Sequence, residues 1–298
     1  MARRPPERGG PRRRRPHLDP PGAQRLLIDP SSSGLGGARG RAAFEAALAA
    51  PPAAGGRDAD AGTLEQLAVA PVQRAGEVLY GSNAVFLLEL AADDPSDPAQ
   101  PMRAIYKPAR GERALWDFPL RTLCLREVAT YLVDAALGTD HVPPTVMRDG
   151  PLGPGSVQLY VHPVAATSDG DDADDVELQL REVAALDVLT NNADRKRAHL
   201  LVTEGPRIRA IDNALTFLPY PRQRTALISL GGTPLPLRTR RRLNRLARPG
   251  KLDQLVIRLR RMLADREVDA FAARVKELAA DPVYPALDDW DGRPFEWW

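Results

Sequence analysis

Short apolar runs separated by turn residues dominate the first part of the chain. The run 84–90, Ala-Val-Phe-Leu-Leu-Glu-Leu, is rich in strand formers, and a second run at 102–107 stops at Pro108, with an Asp/Pro-containing loop between them. Ahead of them, a short helix start at 63–67 and the segment 76–80 lead into Gly81, Ser82 and Asn83, so the pattern predicts antiparallel strands with a glycine turn near the tip. From 122 to 137 the period changes. Leu123, Leu125, Val128, Tyr131, Leu132 and Ala135 recur at mostly helical spacing, and Gly138 supplies a stop. Residues 142–147, a turn at 149–155 and residues 156–161 read as a second hairpin. The acidic run 168–175 reads as a solvated loop and marks a boundary. Beyond it, 176–190 is a helix with Leu180, Val183, Ala184 and Val188 on one side, ending at Asn191 and Asn192. Two short strands at 199–203 and 207–211 flank the turn Glu204-Gly205-Pro206, and further helices are expected at 251–263 and 267–278. The aromatic end, Trp290, Phe295, Trp297 and Trp298, is expected to pack back on the body. Strands first and helices afterwards define an α+β protein, with an N-terminal lobe at 63–165 and a mainly helical C-terminal lobe at 166–298.

Charge changes this picture at one end. The 298 residues carry 41 Lys+Arg against 39 Asp+Glu, and residues 1–62 hold 11 of the arginines with 6 acids and 19 Gly or Pro. Such a segment cannot bury enough apolar surface to offset backbone ordering and is expected to be a disordered arm. The near-neutral total argues against a strongly basic nucleic-acid fold. A single cysteine, Cys124, excludes an intramolecular disulfide, no Cys/His cluster has zinc spacing, and Cys124 reads as buried packing. The apolar runs are far shorter than the ~20 residues that cross a bilayer, and the positive N-terminus lacks an apolar region after it. A cytoplasmic protein is expected, without a transmembrane segment.

The chemistry concentrates in 191–199, Asn-Asn-Ala-Asp-Arg-Lys-Arg-Ala-His, followed by the second hairpin and Ile211-Asp212-Asn213. A polar loop with an acid at its centre, then a short hairpin ending in a second acid, brings two carboxylates together. That is the layout of a phosphotransfer site: Asp194 takes the proton of an acceptor hydroxyl, while Asp212, with a ligand five residues after Asp194, holds a divalent ion on ATP phosphates. The fifth position is His199. Upstream, in matching order, stand the glycine turn with Ser82 and Asn83, a strand lysine at Lys107, and a helical glutamate at Glu127 that would fix it.

These residues resemble a known family. Tyr106-Lys107-Pro108 with Gly111-Glu112, Leu115-Trp116-Asp117-Phe118, Arg126-Glu127-Val128-Ala129, Val142-Pro143-Pro144-Thr145, Asn192-Ala193-Asp194-Arg195 and Ile211-Asp212-Asn213 look like an uncharacterised actinobacterial family related to phosphatidylinositol 3- and 4-kinases. The resemblance covers about 63–285 and implies a two-lobed kinase-like fold. It also implies Asp194 as base, Arg195 as its neighbour and Asp212 as metal ligand. Against the lipid-kinase pattern, Lys196 stands for a histidine, His199 for an asparagine, and Asn213-Ala214 for Phe-Gly. Asn213 is expected to supply the left-handed turn. Mg²⁺ prefers oxygen ligands, whereas imidazole suits Mn²⁺.

Each residue also has an ordinary reading: Asp194 as a cap or as the partner of Arg195 or Arg197, Lys107 with Glu127 as a structural salt bridge, His199 as a satisfied strand histidine. The expectation is an ATP- and Mg²⁺- or Mn²⁺-dependent phosphotransferase. Asp194 and Lys196 serve catalysis, Ser82, Asn83, Lys107 and Glu127 the nucleotide, and His199 and Asp212 the metal. The alternative is a nucleotide-binding scaffold without catalysis. The acceptor, whether small molecule, lipid or protein, is open. The arginine groups 12–15 and 238–248 read as solvated faces, without the interleaved aromatics of single-strand binders, and nucleic acid is not an expected partner.

Overall fold

A computed structural model describes residues 60–78, 83–91, 101–164, 172–205 and 207–295. Nearly all of the arginine-rich arm, with Gly81, Ser82, Trp297 and Trp298, lies outside them. The first element, helix α1 (Ala61–Val69), tucks Leu64 and Leu67 under the sheet. Strands β1 (Val72–Glu77), β2 (Phe86–Leu90), β3 (Met102–Pro108), β4 (Thr145–Gly150) and β5 (Gly153–Leu159) form one antiparallel sheet in the order β1-β2-β3-β5-β4. Strand β3 buries Ala104, Tyr106 and Pro108, so the two-residue period turns Lys107 to the opposite face. Behind it, a side chain at Gly155 would meet the Lys107 carbonyl at 2.5 Å, which is why the paired strand carries glycine there.

Helix α2 (Leu123–Leu137) runs between the sheet and the helical lobe, and 13 of its 15 residues are buried. Gly138 ends it at φ +71°, donating its N–H to Asp134 O at 2.9 Å and Ala135 O at 3.1 Å. A helix buried on all sides must partner its polar side chains. Arg126 donates to Thr216 O and to Glu267 Oε1, the latter at 2.6 Å, and Asp134 accepts the backbone N–H groups of His141 and Val142 at 3.1 and 3.2 Å. Thus the helix bearing Glu127 is tied to the lobe below it as well as to the sheet.

Helix α3 (Asp172–Thr190) starts inside the acidic run expected to be loop. Its first turn takes Asp174 and Asp175, where carboxylates meet the positive end of the helix dipole. Asn191, at φ +52°, closes it. The short hairpin is β6 (Leu200–Thr203) and β7 (Arg207–Ala210), and three helices follow: α4 (Leu237–Leu246), α5 (Lys251–Leu259) and α6 (Asp265–Ala280). The remaining chain returns along 225–235, with Thr225 N donating to Gly292 O at 2.8 Å and Tyr284 N to Thr233 O at 3.0 Å. The described part of its aromatic end is not buried as expected: Trp290 is 86% and Phe295 66% exposed, the latter with the Arg224 guanidinium over its ring at 4.9 Å. One apolar cluster extends from Leu64 to Tyr284 through both sheet and helices, and Cys124 is buried in it. Among the described residues, no helix is long and apolar enough to cross a membrane.

Candidate active site

Lys107 reaches from the sheet to two carboxylates. Its Nζ donates to Glu127 Oε1 on α2 and, at 2.8 Å, to Asp212 Oδ1 just past β7. Burial works against its charge, but the Asp212 and Glu127 carboxylates outweigh that and hold its pKa above the usual lysine value. Reciprocally, Lys107 keeps Asp212 ionised well below the ordinary carboxylate range. Glu127 has a second task. Its Oε2 accepts the backbone N–H of Asn213 at 3.0 Å, so one side chain aligns both the lysine and the segment bearing Asp212.

The left-handed residue of that segment is Asp212 itself, at φ +55°, and not Asn213 as expected. A non-glycine residue in this region persists only where its surroundings fix it. Here they do. Wholly buried Arg195 donates to Ile211 O at 2.9 Å, to Asn213 Oδ1 at 2.6 Å, and through Nε and Nη2 to the Asp187 carboxylate on α3, each at 2.9 Å. Asn192 Nδ2 also donates to Asp187 at 3.0 Å, while Asn192 Oδ1 accepts the N–H of Asp194 at 2.9 Å. Arg195 therefore pairs with Asp187 and not with Asp194. The partner of Asp194 is Lys196, whose Nζ lies 2.7 Å from Oδ2.

Asp194 and Asp212 have opposed environments. Burial raises the pKa of Asp194, Lys196 works against the rise, and the Asp212 charge adds to it. One carboxylate is thus tuned towards proton acceptance while the other stays an anion, the separation that acid/base and ligand roles require. His199, at the end of a 3₁₀ turn (Arg197–His199) and not inside a strand, directs Nε2 at Asp212 Oδ2, 3.4 Å away. Burial lowers its pKa to about 4 despite the opposing pull of Asp212, so the imidazole is neutral near pH 7. A neutral imidazole beside an ionised, half-exposed carboxylate suits a divalent cation that takes its other ligands from phosphate and water. The donor set fits such an ion, although among the described residues no three or more His, Cys, Asp or Glu side chains gather into a complete protein cage.

The structure therefore brings together Lys107, Glu127, His199 and Asp212, with the pair Asp194 and Lys196 beside them. Asn83 Oδ1 accepts the Arg113 N–H at 2.8 Å, bracing the end of the β1–β2 connection, and Ser82 lies outside the described residues. Sequence reasoning missed Asp187. Its signal was a lone acid in the apolar stretch Ala-Ala-Leu-Asp-Val-Leu of a helix.

An antiparallel five-stranded sheet, a central helix and a helical lobe with a loop and hairpin constitute a kinase-like fold. Hydra Fam20, solved with sugar, shares it at a TM-score of 0.50 and 16% identity over 80% of this chain and 93% of that one. The Golgi casein kinase, solved with Mn/ADP bound, aligns at a TM-score of 0.47 with 16% identity over 74% of each chain. No family model matches the sequence. Protein Rv2133c of Mycobacterium tuberculosis is 33% identical over 263 residues, 74% of this chain and 90% of that one, and the chain belongs to the same family as Rv2133c.

Proposed function

We propose that the protein is an ATP- and divalent-metal-dependent phosphotransferase, acting on a hydroxyl acceptor, of the type its motifs share with phosphatidylinositol 3- and 4-kinases. The observation that carries this is the bridge from Lys107 to Glu127 and Asp212, with His199 on the second oxygen of Asp212. Lys107 neutralises phosphate charge and Glu127 orients it. Asp212 and His199 would hold Mn²⁺ or Mg²⁺, which would supply neutralisation of phosphate charge. Asp194 orients the acceptor hydroxyl and takes its proton, and Lys196, released from Asp194 by the phosphate, stabilises the charge that develops on transfer. Asn83, with Ser82 before it in sequence, is assigned to the nucleotide phosphates on the sequence pattern alone. On the sequence alone, the lobe boundary is assigned near residue 165 and the reaction to the cytoplasm.

Asp194→Asn tests the reading. ATP binding measured by calorimetry should stay within a few-fold, while ATP consumption falls on the order of 10²–10⁴-fold, the contribution of a positioned base. Unchanged consumption would remove Asp194 from the mechanism. The 2.7 Å Lys196 to Asp194 pair, which occupies the base, favours a second reading as a nucleotide-binding scaffold. That reading requires ATP binding with no consumption by the unmodified protein across lipid, peptide and metabolite pools, with either metal.

A further inference from the structure

We infer that the outer face of α4 is a docking surface for an anionic phospholipid membrane. Residues 237–261 hold ten basic residues and one acid, Asp253, whereas the other 273 residues hold 31 basic and 38 acidic ones. The structure sorts these cations. α4 buries Thr239, Leu243 and Leu246 against the core, and Arg238 and Arg242 turn to buried Glu182 at 2.7 and 3.7 Å. Leu237, Arg240, Arg241, Arg245 and Arg248 are left on the exposed side, with Lys251 at the start of α5.

Chain-wide arginine use does not account for this face. Elsewhere exposed arginines either meet acids, as Arg74 does with Glu89 and Arg260 with Asp265 and Asp269, or have an acid close by in sequence, as Arg110 and Arg113 flank Glu112 and Arg266 lies between Asp265 and Glu267. Among the described residues, Arg240, Arg241, Arg245 and Arg248 form no salt bridge, so their mutual repulsion is relieved only by solvent or by an outside anion. The apolar content of the face selects the anion. Leu237, 67% exposed, heads the stripe 237, 241, 245, 248, and Ile257, 59% exposed, projects from the next helix. Lipid buries such side chains between headgroups, whereas duplex nucleic acid offers them nothing, and the face carries no aromatic ring on which bases could stack.

The test uses the full chain, sedimented with phosphatidylcholine vesicles or with equimolar phosphatidylcholine and phosphatidylglycerol vesicles. Binding is expected only to the anionic vesicles and should weaken as salt shortens the screening length from ~10 Å at 0.1 M to ~3 Å at 1 M. The triple variant Arg241→Gln, Arg245→Gln, Arg248→Gln should lose on the order of 100-fold in partition coefficient, and Leu237→Ser a smaller factor, with unperturbed circular dichroism. Triple-variant binding equal to that of the unmodified chain would assign any attraction to the arginine-rich arm and overturn the proposal. So would equal or absent binding to both vesicle types. Duplex DNA that displaces the protein from vesicles, and binds it equally with and without Leu237→Ser, would overturn it in favour of nucleic acid.

Discussion

Replacing Asp187 with alanine isolates the group that couples the loop bearing Asp194 to the segment bearing Asp212. Asp187 is fully buried and accepts from Arg195 Nε and Nη2 and from Asn192 Nδ2. Without it, Arg195 keeps only Ile211 O and Asn213 Oδ1 as acceptors, and its charge is left in the interior without a counterion. Breaking a buried pair in this way costs about 3–5 kcal/mol, because the surviving ion stays desolvated. For a chain of this size each kcal/mol moves Tm by about 2–4 °C, so a loss of roughly 6–20 °C is expected in a calorimetric or circular-dichroism melt. The double variant Asp187→Ala, Arg195→Met removes the orphan charge along with its partner and should recover at least ~1 kcal/mol relative to Asp187→Ala alone. A melt of Asp187→Ala within ~1 kcal/mol of the unmodified protein, or a double variant as unstable as the sum of the singles, would refute the view that this pair holds the two loops together.

Three further outcomes follow from the site and its surroundings. Lys107→Met should weaken ATP binding by about tenfold or more in calorimetry, the loss of charge-assisted hydrogen bonds worth ~1.5–3 kcal/mol, while leaving Glu127 and Asp212 to repel one another. His199→Asn substitutes an oxygen donor for imidazole and should shift metal preference from Mn²⁺ towards Mg²⁺ in nucleotide-binding titrations; an unchanged Mn²⁺/Mg²⁺ ratio would remove His199 from the ligand set. Glu112 accepts the Cys124 N–H at the start of α2, but its Oε2 is buried without a partner, and burial raises its pKa from 4.5 to about 7. The folded protein then holds a proton that the unfolded chain releases, so stability should fall as pH rises from 4.5 to 7, by up to about 3 kcal/mol. Glu112→Gln should flatten that slope in urea titrations at several pH values.

The elements that position the site were legible because they depend on local periods. The alternation in β3 puts Lys107 on the face opposite Tyr106, helical spacing carries Glu127 into the interior, and Gly138 ends its helix as its residue type requires. The parts that were not legible depend on contacts distant in sequence. Arg126 and Glu267 meet across 141 positions, and nothing near either one announces the other. Asp187 looked like an isolated polar residue until Arg195 and Asn192 closed around it. The strained backbone fell on Asp212 because Glu127 and Arg195 fix Asn213 from both sides, a tertiary demand that overrides the readier left-handed propensity of asparagine. At the acidic run, charge suggested solvent while the dipole of α3 used the same carboxylates to begin a helix.

Soaking or co-crystallising the full chain with a nonhydrolysable ATP analogue and Mn²⁺ tests the central claim most directly. Phosphate density against Lys107 Nζ, with a metal between Asp212 and His199, is the predicted result. An analogue seated elsewhere, for example in the 720 Å³ cavity between α6 and the returning C-terminal segment near Arg274 and Pro285, with Lys107 still closed on Asp212, would contradict it.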